Sequence, residues 1–352
     1  MDQNNSPRRP VWRRVVLVIL CVLLALVLAV IIFATTYIHH LLGLVTGGDN
    51  SSLNETLSSE QLASLASDPD EYDPNNTLPT IHPSDVPEHT VNSEPSENLQ
   101  TEGIINIMLI GEDCKSGQRR QRSDSMILCS FNSNKNTITM ISFLRDTYIP
   151  KIPGYWADKM NAAYAYGGVN CLDETLATYF GVHVDANIVV QFDGFKSIID
   201  MLGGVDIELT KKEIDYLHKD FDWNLQVGMN HLNGGQALAY ARIRKIDMDA
   251  MRAQRQRKVL TALINAYKSK PIGEMLTLAS DILQKGYVQT DMTPNEVLSY
   301  VSKLFPMLAT ATINNQQIPA DGTYSSVNVG NVTSTKVCDF DVNRQILQEI
   351  FQ

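Results

Sequence analysis

Carboxylates and a guanidinium lie at the ends of three consecutive apolar segments of strand length. The segments are Ile105–Ile110, Ser125–Phe131 and Thr137–Phe143. Asp113 follows the first segment, Asp124 immediately precedes the second, and Arg145 follows the third. Charged side chains at the ends of strands are typical of a site on the edge of a sheet. Because both signs of charge occur together here, the pattern predicts a site for a metal-bound phosphate.

A second charged stretch follows at residues 232–263. Alternation places Arg242 and Arg244 on one side if that segment is extended. On the helix predicted next, Arg252 and Gln256 are four positions apart and share one face. A positive helix end and several guanidinium groups suit a diphosphate. The alternative is a solvated basic face, which runs of charge on a helix usually form.

The elements that must position these residues indicate an α/β fold. Beyond residue 158, segments with helical periodicity alternate with short strand-like segments, and glycines close several of the helices. Two of the expected helices span residues 158–168 and 171–180. Strands that alternate with helices of about ten residues predict a central sheet covered by helices.

The amino-terminal residues predict a membrane anchor. Residues 15–34 contain no charged or amide side chain, and twenty residues of helix rise about 30 Å, the thickness of the hydrocarbon core of a bilayer. Four arginines precede this run, and positive charge collects on the cytoplasmic side of a membrane. We therefore expect a cytoplasmic tail at 1–14, an uncleaved signal anchor at 15–38, and the rest of the chain outside the cell.

Residues 39–102 predict a disordered linker. The stretch 43–102 holds twelve acidic residues, six prolines and no lysine or arginine. Such a composition does not bury enough apolar surface to fold. The linker also accounts for the net charge of −10, so the expected extracellular domain, residues 103–352, is near neutral. The low isoelectric point therefore carries no information about a substrate.

Seven motifs in a fixed order resemble the LytR–CpsA–Psr family. They cover residues 104–267 and read GxD, RSDS before a strand, a strand ending in Arg-Asp, KMNAAYAYGG, DGFKSIIDMLGGVDIEL, LNGGQALAYARIRK and DxxRxxRQ. The resemblance implies a three-layer α-β-α domain on the outer face of the membrane in a Gram-positive-type envelope. It also implies a phosphotransferase that moves a glycopolymer, such as wall teichoic acid or capsule, from a polyprenyl-pyrophosphate carrier to peptidoglycan.

The resemblance assigns a role to each charged position. Asp113 and Asp124 match the family's Mg²⁺ ligands, and Mg²⁺ usually takes one or two carboxylates together with phosphate oxygens. The expected pyrophosphate-binding residues are Arg122, Arg145, Lys159, Arg242, Arg244, Arg252 and Gln256, of which Arg145, Arg242 and Arg244 are also the expected catalytic residues.

The loop after GxD departs from the family pattern. The family usually has an arginine there, whereas this chain reads Cys114-Lys115-Ser116-Gly117. The substitute is one of Arg119, Arg120 and Arg122. The general base of the reaction is not identified by the residues.

The polyprenyl tail requires a long apolar pocket. The candidates for its lining are Phe195, Ile198, Ile199, Leu202 and residues 259–264. Core packing is the more common explanation for such residues.

Two other functions use the same residues. A polyprenyl-diphosphate pyrophosphatase would employ the same metal and arginines with water as the acceptor. A non-catalytic binder of wall polymer or lipid would bind the diphosphate without turnover. A transcriptional regulator is excluded, because a cytoplasmic tail of fourteen residues is too short for a helix-turn-helix.

The cysteines beyond the anchor are expected to form one or two disulfides. Cys114, Cys129, Cys171 and Cys338 allow three pairings, and a bridge from Cys338 would tie the carboxyl terminus to the domain. Their spacing lacks the close CxxC pairs of a structural zinc site.

Overall fold

The structure is a computed structural model that describes residues 43, 51–66, 76–87, 98–112, 120–243, 246 and 249–352. The predicted tail at 1–14 and anchor at 15–38 lie outside the described residues, as do Asp113, Cys114, Arg119 and Arg244. Within the described ranges, no helix is both long and apolar enough to cross a bilayer.

The chain forms thirteen strands, nine α-helices and two short 3₁₀ helices, Ser51–Asn54 and Pro83–Asp85, within the described residues. The first α-helix and strand are α1 (Ser59–Ala66) and β1 (Thr80–Ile81). They are followed by β2 (Ile104–Glu112), β3 (Ser123–Asn132), β4 (Thr137–Phe143), β5 (Tyr148–Ile149), β6 (Asp158–Lys159), α2 (Met160–Phe180), β7 (Ala186–Gln191), α3 (Phe192–Met201), β8 (Val205–Leu209) and α4 (Lys211–Leu217). The last elements are β9 (Gly228–Leu232), α5 (Gly234–Ala241), α6 (Asp249–Lys268), α7 (Ile272–Gln284), β10 (Gln289–Thr290), α8 (Pro294–Thr310), β11 (Thr312–Ile318), β12 (Tyr324–Val329), β13 (Val332–Cys338) and α9 (Phe340–Phe351).

Six strands form one mixed sheet in the order β10-β7-β2-β3-β4-β11. Strand β3 runs antiparallel to both β2 and β4, whereas β7 and β11 pair in parallel with β2 and β4. The three strands predicted at 105–110, 125–131 and 137–143 are confirmed as the centre of this sheet. Because β3 is antiparallel to its neighbours, its first residues lie at the same edge as the last residues of β2 and β4.

Helices pack against both faces of this sheet. Side chains alternate along each central strand, so each strand contributes apolar residues to both faces. Met108, Leu128 and Ile141 belong to the main core with residues of α2 and α9. Ile107 packs with α8, and Ile127 packs with α6, on the other face. The predicted α/β class is confirmed, with a buried sheet between two layers of helices.

A smaller apolar cluster lies beside the sheet. It is built from the antiparallel pair β8 and β9 and from α3, α4, α5 and α6. Helix α6 contributes Val259 to this cluster and Leu260 to the face of the main sheet. The helix therefore joins the two apolar clusters.

Part of the predicted linker packs against the domain. Leu53, Leu57 and Leu65 are buried in the main core, and β1 pairs in parallel with β12. The prediction of a disordered linker is therefore wrong for residues 51–66 and 76–87, because a few leucines are enough to dock short segments. Residues 67–75 and 88–97 lie outside the described residues.

The two helices predicted at 158–168 and 171–180 are confirmed as the two halves of α2, which meet at a kink. Helix α2 contains one residue with non-helical backbone, Gly168, whose φ is 72°. A Cβ at this position would lie 1.9 Å from the carbonyl oxygen of Leu53. Glycine at position 168 therefore permits both the kink in α2 and the close approach of segment 51–66.

Cys129, Cys171 and Cys338 are buried free thiols, so the expected disulfide to Cys338 is wrong. Burial is the main cause that raises the pKa of each thiol to about 12. These cysteines fill the core as small apolar side chains.

Candidate functional site

Asp124 and Arg145 meet at the edge of the sheet. Asp124 is the second residue of β3, and Arg145 lies two residues beyond the end of β4. The antiparallel register, in which Ile127 is opposite Ser142, brings these two strand ends together. Nη1 of Arg145 lies 3.1 Å from Oδ1 of Asp124. The strand-end pattern therefore identified two residues that form an ion pair.

Helix α6 adds Arg252 and Gln256 to the same aspartate. Nη2 of Arg252 lies 2.9 Å from Oδ1 of Asp124, and Nε2 of Gln256 donates to the backbone carbonyl of Asp124 at 3.4 Å. The i, i+4 spacing places both residues on the helix face that meets the sheet edge. Arg252 is only 3% exposed. One carboxylate thus lies against two guanidinium groups. We call Asp124, Arg145, Arg252 and Gln256 the head-group cluster.

Asp146 links Lys159 to this cluster. Its carboxylate lies 3.6 Å from Nε of Arg145 and 3.3 Å from Nζ of Lys159. Burial acts to raise the pKa of Asp146, but Arg145, Lys159 and Lys336 together hold it below its ordinary value. Lys159 therefore contacts the head-group cluster through Asp146 and Arg145.

Arg120 and Arg122, two of the three candidates for the substituted loop arginine, have structural partners. Nη2 of Arg122 lies 2.9 Å from Oδ2 of Asp158, in a pair that is buried on both sides. Arg120 donates to the backbone carbonyls of Glu55 and Ala165. These contacts hold the docked segment 51–66 and helix α2 in place. The third candidate, Arg119, lies outside the described residues.

Arg242 ends a helix rather than lying in an extended segment. It is the C-cap of α5, with φ −99° and ψ 1°, so the extended backbone required for alternation with Arg244 is not present at this residue. The guanidinium carbon of Arg242 lies 4.4 Å from the ring centre of Phe192. This stacking holds an exposed cation beside the head-group cluster.

An apolar pocket of about 210 Å³ opens beside the head-group cluster. Its apolar wall includes Leu109, Ile127, Phe195, Ile198, Leu260 and Leu263, and its polar lining includes Asp124, Arg242, Arg252 and Gln256. Of the tail-binding candidates, Phe195, Ile198, Val259, Leu260 and Leu263 line the pocket. Ile199 and Leu202 are instead buried among core residues.

The lining of this pocket changes from polar to apolar along helix α6. Arg252 and Gln256 come first on the pocket face, and Val259 and Leu263 follow. Eleven residues of helix separate Arg252 from Leu263, a rise of about 16 Å. The pocket therefore suits an amphiphile with an anionic head and an apolar chain.

The donor chemistry of Asp124 fits a hard cation such as Mg²⁺, which takes carboxylate oxygens and completes its coordination with phosphate and water. Asp113, the other expected ligand, lies outside the described residues. Within the described ranges, no group of three or more histidine, cysteine or acidic side chains is placed to hold a metal by itself. A cation at Asp124 would therefore depend on further oxygen ligands, as from a diphosphate.

Phe192 and the strand residues of the pocket were not predicted as site residues. Phe192 begins α3, and its ring supports Arg242. Leu109 and Ile127 lie on the sheet face opposite the main core, a position that strand alternation does reveal. Alternation does not show that a pocket, rather than a packed helix, covers them.

The LytR_cpsA_psr family model matches residues 75–347 of this chain. A protein of Bacillus anthracis named polyisoprenyl-teichoic acid–peptidoglycan teichoic acid transferase TagU is 32% identical over 252 residues, which are 70% of this chain and 79% of that protein. A Bacillus subtilis protein named polyisoprenyl-teichoic acid–peptidoglycan teichoic acid transferase TagT is 37% identical over 172 residues, which are 47% of this chain and 53% of the length of TagT. A solved structure described as TagT bound to LIIa-WTA superimposes with a TM-score of 0.58 at 27% identity, covering 74% of this chain and 92% of that one.

Proposed function

Because the chain belongs to the LytR_cpsA_psr family, we propose that it moves a cell-wall glycopolymer from a polyprenyl-pyrophosphate carrier to peptidoglycan. The observation that carries this proposal is the head-group cluster beside an apolar pocket. A prenyl diphosphate has the same two parts in the same order. The names of the relatives TagU and TagT favour a teichoic acid as the polymer.

The diphosphate would bind between the two sides of the site. Arg145 comes from the sheet, and Arg252 and Gln256 come from helix α6. Guanidinium groups bind phosphate oxygens through paired hydrogen bonds. Arg242 at the mouth of the pocket would add a further cation, and Arg244 is proposed to join it. Asp124 sets the positions of Arg145 and Arg252 before the substrate arrives.

The prenyl chain would enter the apolar pocket. The pocket volume of about 210 Å³ is below the 300–1,000 Å³ typical of ligand pockets, so a long polyprenyl tail would extend beyond it or widen it. Phe195 and Ile198 on α3, facing Leu260 and Leu263 on α6, form walls from two separate helices. Such walls are able to move apart when a chain enters.

We further propose that Mg²⁺ is bound through Asp124 and Asp113. When bound, the ion would neutralise charge on the diphosphate oxygens. The support for this proposal is the carboxylate chemistry of Asp124 at the head-group cluster.

In the transfer step, a hydroxyl oxygen of a peptidoglycan sugar forms a bond to the phosphorus that carries the polymer. The bond from that phosphorus to the prenyl-phosphate oxygen breaks, and the hydroxyl proton passes to solvent. Negative charge grows on the departing prenyl phosphate. Arg145 and Arg252 are placed to stabilise it, since fixed donors stabilise developing charge most strongly in a buried site. The product is a phosphodiester that joins polymer and peptidoglycan.

We propose that residues 15–38 anchor the protein, with residues 1–14 in the cytoplasm and the folded domain outside the cell. The support is the uncharged run at 15–34, preceded by arginines. The carrier's prenyl chain lies in the same bilayer, so an anchored domain would meet its substrate at the membrane surface.

A reconstituted transfer assay tests the proposal. The full chain would be placed in vesicles with a polymer-bearing polyprenyl diphosphate, Mg²⁺ and peptidoglycan, and the products would be separated by mass. A phosphodiester-linked polymer on peptidoglycan supports transfer. Free polymer phosphate with peptidoglycan left unmodified would identify the pyrophosphatase alternative. Tight binding with neither product would identify a non-catalytic binder.

A further inference from the structure

A second, polar groove lies on the other side of helix α6. Its volume is about 610 Å³, and its walls come from β8, α4, α5, α6 and β11. Helix positions 254, 258, 261 and 265 line it, whereas positions 252, 256, 259 and 263 line the apolar pocket. The two sets are offset by two residues, about 200° around a helix. Helix α6 therefore separates two sites.

Arg257 in this groove is a buried cation without a counter-ion among the described residues. It is 8% exposed, and its Nε and Nη1 atoms are buried without a hydrogen-bond partner in those ranges. Burial lowers the pKa of Arg257 from its ordinary value, with no acidic neighbour opposing the effect. A desolvated guanidinium without a partner is costly. An anion that binds from outside the chain would remove that cost.

Arg255, which also lines the groove, shows the contrast. Its Nη1 atom lies 3.7 Å from Oε1 of Glu213, and its Nη2 atom donates to the carbonyl of Ile243 at 3.0 Å. Arg255 is thus compensated within the protein and helps to hold α6 against α4. Arg257 is not used in this way.

The groove is also lined by Asp206, Glu213 and Lys258. Asp206 pairs with His231 and Glu213 with Arg255, and Lys258 donates to the backbone carbonyl of Glu208. The remaining polar lining is neutral. It includes the side chains of Thr210, Gln254, Thr261, Asn265 and Asn315. Gln254, Asn265 and Asn315 are exposed. Amides and hydroxyls both donate and accept hydrogen bonds, which matches the hydroxyl groups of a sugar.

We propose that this groove binds a glycan segment that carries an oxyanion, with Arg257 on the anion and the amide side chains on sugar hydroxyls. The inference rests on the proposed function, in which two glycans meet at the head-group cluster. Arg257 adjoins Gln256 in sequence but lies toward the other side of α6, so a glycan held here would be separated from the head-group cluster by the width of the helix, about 10 Å. The oxyanion is either a phosphodiester of the donor polymer or a carboxylate of peptidoglycan.

Binding measurements on the full chain in detergent micelles test the proposal. The probes are a soluble poly(glycerol phosphate) oligomer, a disaccharide-peptide released from peptidoglycan, and farnesyl diphosphate as a probe of the head-group cluster. Arg257→Gln removes the cation, and Asn315→Trp fills the groove. Asn314→Trp is the matched control, because Asn314 is also exposed on β11 but points to the other face of the strand.

The wild type is expected to bind one of the two glycan probes, and the probe that binds identifies the source. Arg257→Gln and Asn315→Trp should each weaken that binding at least tenfold and leave farnesyl diphosphate affinity within twofold. Asn314→Trp should leave both unchanged. If Arg257→Gln does not fold, the comparison of Asn315→Trp with Asn314→Trp decides alone.

The proposal is overturned if neither glycan probe binds, or if Asn315→Trp binds like the wild type. It is also overturned if Arg257→Gln loses farnesyl diphosphate as well, since Arg257 would then act on the head-group cluster. Failure of the proposed function has a different signature: the wild type would not bind farnesyl diphosphate and would form no transfer product.

Discussion

Nη2 of Arg252 lies 2.9 Å from Oδ1 of Asp124, joining helix α6 to the first residues of strand β3. The pair is nearly withdrawn from water, with exposed side-chain fractions of 4% and 10%. Buried ion pairs add little net stability, because desolvation offsets much of the attraction. Their value here is positional: Asp124 holds two cations at the place where a diphosphate would bind.

Asp124→Asn separates the two roles proposed for this carboxylate, counter-ion and Mg²⁺ ligand. The amide keeps the shape of the side chain but removes the charge that compensates Arg145 and Arg252. We expect farnesyl diphosphate to bind several-fold more tightly in EDTA, because the diphosphate becomes the main anion in the site. Transfer with Mg²⁺ should fall at least 100-fold, and the free energy of unfolding should fall by about 3 kcal/mol.

Asp215→Asn is the control for this measurement, because it breaks only an exposed ion pair with Lys211. Full Mg²⁺-stimulated transfer by Asp124→Asn would rule out a role for Asp124 as a metal ligand.

Arg145→Gln and Arg252→Gln should each lower the transfer rate by about 100- to 1,000-fold. Loss of one fixed donor to a developing oxyanion has an effect of this size. Both proteins should stay folded, because Asp124 keeps one guanidinium in either variant. The double variant should lose less than the product of the single losses, since both arginines act on one diphosphate.

Lys211→Gln is the matched control for both arginine variants, because it removes a cation that is exposed. This variant should catalyse transfer at the wild-type rate. Strictly multiplicative losses in the double variant would show that the two arginines do not share a ligand.

The sequence indicated the sheet half of the site more fully than its surroundings. Asp124 and Arg145 lie at strand ends, and strand ends of an antiparallel pair meet by register alone. Arg252 and Gln256 followed from helical spacing. These are local rules, so no knowledge of distant contacts was needed.

The surroundings of other residues depend on contacts between distant segments. Arg122, an expected diphosphate ligand, pairs with Asp158, a partner that neighbouring residues do not reveal. Arg242 caps helix α5, so the extended backbone on which its alternation with Arg244 depended is not present at Arg242. Cys338 was expected in a disulfide but fills the core. In each case the residue type indicates what kind of contact the side chain makes. The partner is selected by packing between distant segments, which the neighbouring residues do not reveal.

Ile198→Trp and Leu263→Trp should shorten the prenyl chain that the apolar pocket accepts. Both side chains line the pocket, one on α3 and one on α6, and extra volume in a packed region displaces its neighbours. We expect KM for a long-chain polyprenyl donor to rise at least tenfold, with little change for a farnesyl donor. The measurement is the chain-length dependence of KM for transfer.

Val301→Trp is the control, because Val301 is 55% exposed on helix α8, outside the pocket. An equal rise in KM for both donors would indicate a damaged head-group cluster rather than a narrowed pocket.

Asp173 should make the stability of the domain depend on pH. The side-chain amide of Asn187 donates to Asp173 and to Asp291, at 2.8 Å each. Burial is the main cause that raises the pKa of Asp173 to about 7; the Asn187 hydrogen bond opposes this shift, and the charge of Asp291 adds to it. The unfolded chain has an aspartate pKa of about 3.9.

Between these two values the folded state holds a proton that the unfolded state does not. Stability from this group is therefore fully present below about pH 4 and is lost as pH rises to about 7. Asp173→Asn is neutral throughout and should remove this dependence. Relative to the wild type, its Tm should rise as pH increases from 4 to 7 and then stay constant. Thermal unfolding of the full chain at a series of pH values measures this difference. Asp215→Asn is the control, because Asp215 is exposed. Parallel Tm curves for the wild type and Asp173→Asn would show that Asp173 is ionised in the folded protein.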